Sequence, residues 1–318
     1  MQTDKIQILS HENGHITFNY QGLDNNLISI VIRDINTQQI IYSDSFPIAP
    51  SNTYWVSINH IYSYIRNILV NFTLDTGEIY NFNINYPDNP NRHTVVNNNL
   101  FLFDGGENHS MYTIREVFYD KIYDTDYVKV TKDDVVVDLG ANIGVFSVYC
   151  QNHNPKFVYS VEPDPTTFKL LTKNTSQFSN IKCINAAISD FDGESDFIHF
   201  PQSSAVNHLV KNQGIINYTS NQSQIIKTPT FNINTFINQN NISYINYLKV
   251  DIEGSELDVF KEINKDYLNN CIKKIAIEYH TNEIKNELIE ILESQEFIIE
   301  NNEIKPKDIH CGMLYAYK

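Results

Sequence analysis

The segment DVVVDLGANIG, residues 134–144, limits the possible folds more than any other part of this 318-residue chain. Its first six residues form an apolar run without polar–apolar alternation, which is typical of a strand buried on both faces of a sheet. Gly140 and Gly144 follow, and a helix is predicted at about 143–153. A buried strand, a glycine turn and a helix predict an α/β protein with a mostly parallel sheet, which binds its ligand at the carboxyl ends of the strands.

Two regions with different hydrophobic periods predict two domains. Residues 1–95 alternate polar and apolar and have no helical period, which predicts an antiparallel, sandwich-like accessory domain. The prolines and asparagines of 86–99 predict a linker. Residues 96–318 alternate strands with helices, which predicts a single α/β domain with helices on both faces of its sheet.

The composition argues against several classes of partner and location. A formal net charge of -15 disfavours nucleic acid, which proteins bind with basic surfaces. The apolar runs are too short to cross a bilayer, and the first residues do not resemble a signal peptide. The four cysteines, Cys150, Cys183, Cys271 and Cys311, lie far apart and have no CxxC spacing. This pattern suits reduced thiols and predicts a cytoplasmic protein.

The glycine turn has two interpretations: tight packing between elements, or close approach to a ligand, with the free N–H groups of the helix start as donors. A dinucleotide turn would need G-x-G-x-x-G, and Asn142 stands where the second glycine should be. Glu162 ends the next predicted strand, about 20 residues after the turn, where an acid can accept hydrogen bonds from ribose hydroxyls. Its alternative role is a carboxylate at the start of the following helix.

The segment LKVDIEGSELDVF, residues 248–260, places Asp251 and Glu253 at the carboxyl end of a further strand. Carboxylates there can bind a metal, orient a ligand amino group or take a proton. The alternative is that Glu253 and Glu256, with Ser255, only cap a helix.

In their order along the chain, these motifs resemble the FkbM family of S-adenosylmethionine-dependent methyltransferases. The resemblance covers about 133–281 and includes D-x-G-A-N-x-G, E-P, A-x-S-D-x-D-G and K-x-D-x-E-G-x-E. It implies a class I methyltransferase fold, which is Rossmann-like and has a seven-stranded sheet whose last strand is antiparallel. The chain departs from the family at Asn232-Ile-Asn234, where an acid is common. Residues 1–95 lie outside the resemblance.

The resemblance also implies roles for single residues. The methionine end of S-adenosylmethionine would lie on the turn and Asp138 would face its amino group, Glu162 would hold the ribose, and Ala187 would line the adenine pocket. The residues implied in cofactor binding are Asp138, Gly140, Ala141, Asn142, Ile143, Gly144, Glu162, Ala187 and Asp251. The candidates for the general base are Asp251, Glu253, Glu278 and His280.

The family implies O-methylation of a hydroxyl on a sugar or glycan precursor as the reaction. Methylation of another small molecule or of a protein is an alternative, and so is a binding module that keeps the fold without catalysis. A divalent metal could serve such a reaction, but no dense ligand spacing is present, so the sequence predicts none. The polar stretch 201–228 predicts a lid or binding loop. The N-terminal domain is predicted to dock a partner or to form a homo-oligomer.

Overall fold

The computed structural model describes residues 5–10, 15–35, 40–50, 52–57, 67–85, 92–96, 99–103, 113–201, 204–213, 215, 223–302 and 312–318. The chain forms two compact units, Met1–Met111 and Tyr112–Lys318. The boundary expected at residue 95 therefore falls inside the first unit. Within the described residues, no helix is both long enough and apolar enough to span a membrane.

The first unit consists of antiparallel strands, as its alternating sequence predicts. Its strands are β1 (Ile6–Ser10), β2 (His15–Tyr20), β3 (Asn26–Asp34), β4 (Ile40–Ile48), β5 (Thr53–Ser57), β6 (Asn67–Leu74), β7 (Ile79–Asn85), β8 (Arg92–Val96) and β9 (Asn99–Phe103). They form one sheet in the order β1-β2-β5, a second in the order β4-β3-β6-β7, and a separate hairpin of β8 and β9.

The first two sheets share one hydrophobic core. Phe18 of β2 packs on Phe72 of β6, with ring centroids 4.7 Å apart, and both are fully buried. Every second residue of β3, from Ile28 to Ile32, is also buried in this core. The period of two thus gives each sheet one buried face, which confirms the sandwich-like arrangement.

The predicted linker at 86–99 needs a correction. Residues 86–91 and 97–98 lie outside the described part of the chain, but β8 and β9 pair in an antiparallel register from Arg92↔Phe103 to Val96↔Asn99. The segment HTVV supplies β-branched residues that favour a strand. The prolines and asparagines that flank this segment favour a loop, and the pairing of β8 with β9 overrides that preference.

The second unit contains a seven-stranded sheet. Across the sheet its strands are β12 (Ile181–Ile184), β11 (Phe157–Val161), β10 (Val135–Leu139), β17 (Ile245–Val250), β18 (Ile272–Tyr279), β20 (Gly312–Tyr317) and β19 (Ile298–Asn302). The first five strands in this order, from β12 across to β18, are parallel to one another. Strand β20 is antiparallel to both β18 and β19. This topology confirms the class I methyltransferase fold. All five residues of β10 are buried, Asp138 included, as expected for a central strand covered on both faces.

Four of the six α-helices described in this unit begin at a residue whose side chain caps their free N–H groups. The six are α1 (Val145–Tyr149), α2 (Pro165–Thr175), α3 (Ile233–Gln239), α4 (Glu256–Glu262), α5 (Lys265–Cys271) and α6 (Asn282–Ser294). Asp164 accepts hydrogen bonds from the first N–H groups of α2, and Thr281 does so for α6. Asn232 caps α3, so the asparagine-rich departure from the family pattern still supplies a helix start.

The apolar segment IKCINAAI, residues 181–188, predicts one strand but forms two. After β12 the chain leaves the large sheet, and β13 (Ala187–Ser189) enters a second sheet in the order β13-β16-β14-β15. Asn185 explains the break, because its side-chain amide donates to the carbonyl oxygens of Glu162 and Pro163.

The second sheet also corrects the predicted loop at 201–228. Its other strands are β14 (Gly193–His199), β15 (His208–Leu209) and β16 (Gln224–Asn232). Strand β16 pairs along the whole of β14, so the end of the polar stretch is a strand. Residues 202–203, 214 and 216–222 of that stretch lie outside the described residues.

Candidate active site

The side chains at the carboxyl ends of β10, β11, β17 and β18 surround one cavity. Gly140, Glu162, Asp251 and Glu278 line it, each just after or at the end of a different strand. Parallel strands place their carboxyl ends at the same edge of the sheet, so residues far apart in sequence meet here. All residues lining the cavity belong to the second unit.

The two glycines of the turn are required by packing within the chain. Gly140 has a φ of +76°, and a Cβ atom there would lie 1.7 Å from the carbonyl oxygen of Asp251. Gly144 has a φ of +92°, and its Cβ would lie 2.8 Å from Cδ1 of Leu171 on α2. The space that both glycines free is therefore taken by neighbouring elements. Their presence alone does not indicate a ligand.

The predicted free N–H donors of the turn are in fact used internally. Gly140 and Ala141 both donate to the carbonyl of Val161, and the N–H of Asn142 donates to Oε2 of Glu162. Ile143 donates to the side chain of Asn142, and Gly144 to the carbonyl of Ala141. A turn folded back on itself in this way has no N–H group left for an anion.

Glu162 lies at the cavity wall, and its side chain joins two elements. Oε2 accepts from the N–H of Asn142 at 2.9 Å, and Oε1 accepts from the N–H of Asp164 at 2.9 Å. The residue is 6% exposed, and this burial raises the pKa of its carboxyl to about 8 against the two opposing N–H bonds. A buried carboxyl that still faces the cavity is suited to accept hydrogen bonds from hydroxyl groups.

Behind the turn, Lys249 forms a buried ionic connection between two strands. Its Nζ donates to the carbonyl of Gly140 at 2.8 Å and lies 3.2 Å from Oδ1 of Asp138 and 3.3 Å from Oδ2 of Asp251. The contact to Asp138 is an ion pair without hydrogen-bond geometry. Burial would lower the pKa of Lys249, but these two carboxylates raise it, so the side chain remains a cation.

Asp251 lines the cavity and is kept ionised by its neighbours. The hydroxyl of Tyr123 donates to Oδ2 at 2.8 Å, the same oxygen that Lys249 approaches. Burial alone would raise the pKa of Asp251, but the charges of Lys249 and His280 lower it. Tyr123 is itself 4% exposed, and burial raises the pKa of its hydroxyl well above the usual value, so it acts as a donor.

Glu253 and His280 form a second ionic group beside Asp251. Nε2 of His280 lies 3.1 Å from Oε2 of Glu253, and Nδ1 lies 3.1 Å from Oε1 of Glu256. Burial would lower the pKa of His280, but the carboxylates of Glu256 and Glu253 raise it to about 12. Burial raises the pKa of Glu253 to about 7. Glu253 adopts a φ of +52°, a strained value that is often found at functional sites.

Two further carboxyl groups make this end of the cavity strongly acidic. Burial and the charge of Asp251 raise the pKa of Glu278 well above its usual value. Burial, and then Asp251, raise the pKa of Glu116 to about 7. Acidic side chains therefore outnumber basic ones, since Lys249 is the one basic residue among those that line the cavity. Such a wall favours a cationic ligand.

Another part of the cavity wall is apolar. Ala187 of β13 packs with Phe197 and Leu209 from the second sheet, and all three line the cavity. A flat apolar ring is the kind of ligand group that such a surface accommodates. The second sheet therefore supplies part of the binding wall as well as covering it.

The structure divides the predicted site residues into two groups. Those that line the cavity are Gly140, Ala141, Asn142, Glu162, Ala187, Asp251, Glu253 and Glu278. Those that lie behind its wall are Asp138, Ile143, Gly144 and His280. Asp138 is fully buried, where its Oδ2 accepts from Ser147 at 2.6 Å.

Several residues at the cavity were not identified from the sequence. Lys249 lies inside the quoted LKVDIEG motif, and a lysine two residues before an acid in a buried strand was a usable signal. Tyr123 and Glu116 come from the segment SMYTIREVFYDKIY, residues 110–123, whose amphipathic pattern predicts a helix and gives no indication of a role for either residue. Phe197 reaches the cavity only through the second sheet, which the sequence did not predict.

The chain is similar to known methyltransferases. The family described as "Methyltransferase FkbM domain" matches residues 138–299, about half of the chain. The 31-O-demethyl-FK506 methyltransferase FkbM of Streptomyces tacrolimicus is 26% identical over 215 residues, which are 60% of this chain and 80% of that protein. The hexuronic acid methyltransferase AglP of Haloferax volcanii is 30% identical over 131 residues, covering 41% of this chain and 50% of AglP. The AMB antimetabolite synthetase AmbE of Pseudomonas aeruginosa is 24% identical over 224 residues, and the match covers 61% of this chain but 10% of AmbE.

Proposed function

The chain belongs to the FkbM methyltransferase family, and from that premise we propose that it transfers a methyl group from S-adenosylmethionine to a hydroxyl oxygen of a sugar or glycan precursor. The observation that carries the proposal is that one cavity is lined by an apolar group, by the buried Glu162 and by an acidic group. The names of two relatives support the acceptor class, since one specifies hexuronic acid and the other an O-demethylated compound.

The side chains around the cavity fit S-adenosylmethionine by charge and by polarity. The cofactor carries a sulfonium and an ammonium against one carboxylate, so its net charge is positive and suits the wall of Asp251, Glu253 and Glu278. Glu162 would accept the ribose hydroxyls, and Ala187 with its apolar neighbours would contact the adenine. Asp138 would act through Lys249, which it holds under the turn.

The chemistry needs little from the protein beyond orientation and a place for one proton. When bound, S-adenosylmethionine supplies an electrophilic methyl group whose leaving group is already good. The protein must hold the acceptor oxygen in line with that group and remove the hydroxyl proton. Glu253 and Glu278 are the base candidates that best fit, because both line the cavity. Asp251 is held ionised by Lys249, and His280, with a pKa of about 12, keeps its proton.

The proposal includes a cytoplasmic location. The thiols of Cys150, Cys183 and Cys271 are all free in the described part of the chain, which suits a reducing compartment.

The test is calorimetric titration of the full chain with S-adenosylmethionine, followed by methyl-transfer assays with a panel of sugars and nucleotide sugars. We expect one cofactor per chain, and an affinity at least tenfold weaker in Glu162→Gln. Glu287→Gln is the matched control, because Glu287 is half exposed on α6 and pairs with Lys261. The product is identified by the NMR signal of an O-methyl group. A chain that binds no cofactor would instead be the non-catalytic binding module.

A further inference from the structure

Three potential metal ligands from two adjacent strand ends meet at the acidic wall of the cavity, where Asp251 and Glu253 line it and His280 lies behind it. One potential ligand atom from each of Asp251, Glu253 and His280 lies within 4.8 Å of the other two. Small side-chain rotations would bring these three atoms to the spacing of ligands around one ion. Asp251 and Glu253 follow β17, and His280 follows β18. The sequence showed no ligand spacing because the two parts of the set are separated by α4, α5 and a strand.

The surroundings of His280 are those of a metal-binding imidazole. A histidine that binds a metal through one ring nitrogen usually donates its other N–H to a carboxylate, which fixes the ring. Nδ1 of His280 lies 3.1 Å from Oε1 of Glu256, an ion-pair contact without hydrogen-bond geometry, and that carboxylate is 0% exposed. This contact turns Nε2 towards Glu253 and the other ligand atoms. The ring of His280 is therefore already oriented so that Nε2 faces Glu253 and can bind a metal.

Carboxyl groups outnumber basic groups around the three ligands. Asp138, Asp251, Glu253, Glu256 and Glu278 surround the site, against Lys249 and His280. Oε2 of Glu256 is buried and has no hydrogen-bond partner among the described residues. Tyr123 and Lys249 both contact Oδ2 of Asp251, and neither contact uses Oδ1. A cation at this point would favour the ionised forms of Glu253 and Glu278, which burial disfavours in its absence.

From this geometry we propose that Asp251, Glu253 and His280 bind a divalent cation, with Glu256 orienting the imidazole. Two carboxylate oxygens and one imidazole nitrogen suit Mn²⁺ or Mg²⁺ better than a thiophilic metal. On binding, the ion takes the place of the proton on Nε2, which passes to solvent.

The chemical role of the ion rests on the proposed function, although its binding does not. An acceptor hydroxyl on the cation would ionise more easily, and its proton would pass to solvent. The oxygen lone pair forms the new C–O bond as the C–S bond breaks and leaves its electron pair on sulfur. The ion is regenerated unchanged, and the products are the methyl ether and the thioether.

The test uses the full chain after removal of metals with a chelator. Binding of Mn²⁺ alone is followed by electron paramagnetic resonance of the free ion. We expect one ion per chain, and at least tenfold weaker binding in Asp251→Asn, Glu253→Gln and His280→Gln. Glu256→Gln should weaken binding by about 10–100-fold, since it removes the support of the imidazole. Glu287→Gln on the surface of α6 should bind as the wild type does.

A spectroscopic readout separates a ligand from a residue that only stabilises the fold. Electron spin-echo modulation of bound Mn²⁺ should contain a ¹⁴N coupling that disappears in His280→Gln. Wild-type protein that binds no Mn²⁺, or shows no nitrogen coupling, overturns the proposal. Normal S-adenosylmethionine binding in that same sample leaves the methyltransferase proposal intact. Conversely, a chain that binds Mn²⁺ and no cofactor keeps the ion site and loses the proposed function. Should one variant fail to fold, the other three still decide the matter.

Discussion

Lys249 is a buried cation between two carboxylates, so its removal leaves negative charge without a partner. The Lys249→Met variant keeps most of the side-chain volume but loses the contacts to Asp138 and Asp251. Breaking a buried ion pair by removing one partner typically costs about 3–5 kcal/mol. We expect a loss of that size in the free energy of unfolding, measured with urea. Cofactor affinity should fall as well, because the turn loses the hydrogen bond to Gly140.

The matched control for Lys249 is Lys261→Met. Lys261 pairs with Glu287 at 2.6 Å, but both side chains are about half exposed, so the pair is worth about 1 kcal/mol or less. Adding Asp138→Asn to Lys249→Met should recover part of the lost stability by removing the unpaired charge. Equal losses in Lys249→Met and Lys261→Met would contradict the role of Lys249 as the charge that holds this site together.

At the level of single residues, the sequence located most of the cavity but not the contacts inside it. Glu162, Asp251 and Glu253 were found because each follows a strand that the apolar pattern predicts. The packing role of Gly140 could not be read from the chain, since it depends on the carbonyl of Asp251, far away in sequence. The same holds for Lys249, whose partners come from two strands.

Among the elements, the glycine turn offers a test of what its two glycines do. Both have a positive φ, so an alanine at either position is strained to a similar extent. The added Cβ at 140 would meet a backbone carbonyl at 1.7 Å, whereas at 144 it would meet the end of the Leu171 side chain at 2.8 Å. A side-chain end can move and a paired strand cannot. We therefore expect Gly140→Ala to be the more destabilising variant by at least about 2 kcal/mol.

This comparison is made by thermal and urea unfolding of the two variants, each the control of the other. Gly144→Ala should retain cofactor binding, with a weakened affinity at most, because α2 can adjust. Gly140→Ala should lose binding along with stability, since the turn and the end of β17 would separate. If Gly144→Ala were the less stable variant, the strand contact would not be the reason for a glycine at 140.

Elements were predictable where a local pattern decides them and unpredictable where a distant partner does. The segments INTFINQ and NEIKNELIEILES predict helices α3 and α6 at the residues observed, because caps and apolar periodicity act within one segment. Strand β13 was merged with β12, since the break depends on hydrogen bonds from Asn185 to the preceding strand end. The polar sequence at the start of β16 predicts a loop. It forms a strand because it pairs with β14, which the local pattern does not show.

For the whole molecule, the net charge of -15 and the acidic side chains of the cavity have different effects on binding. The net charge disfavours polyanionic partners at any surface of the protein. The cavity carboxyls act locally, and burial opposes their ionisation until a cation enters. The role of the N-terminal unit in docking or oligomerisation stays a prediction, since every residue that lines the cavity lies outside it.

Stability and cofactor affinity should therefore respond to pH in opposite directions. In the ligand-free protein, Glu162 has a pKa raised from 4.5 to about 8 and Glu116 from 4.5 to about 7. Between pH of about 4.5 and about 7 to 8, Glu162 and Glu116 hold protons in the folded state that they have lost in the unfolded chain. The stability from these groups is complete below pH of about 4.5 and is lost as the pH rises through about 7 to 8. The midpoint of thermal unfolding should fall over that range.

Cofactor affinity should rise over the same range, because a cation and ribose hydroxyls both favour the ionised form of Glu162. Below pH of about 8 the Kd should fall by about tenfold for each pH unit, and it should level off above that. Calorimetry in buffers of different ionisation enthalpy should detect the released proton. The Glu162→Gln variant cannot ionise at this position, so it should bind weakly with a much flatter pH dependence. A wild-type Kd that does not change with pH, or a Glu162→Gln variant that keeps the full slope, would show that Glu162 is not the group that the cofactor ionises.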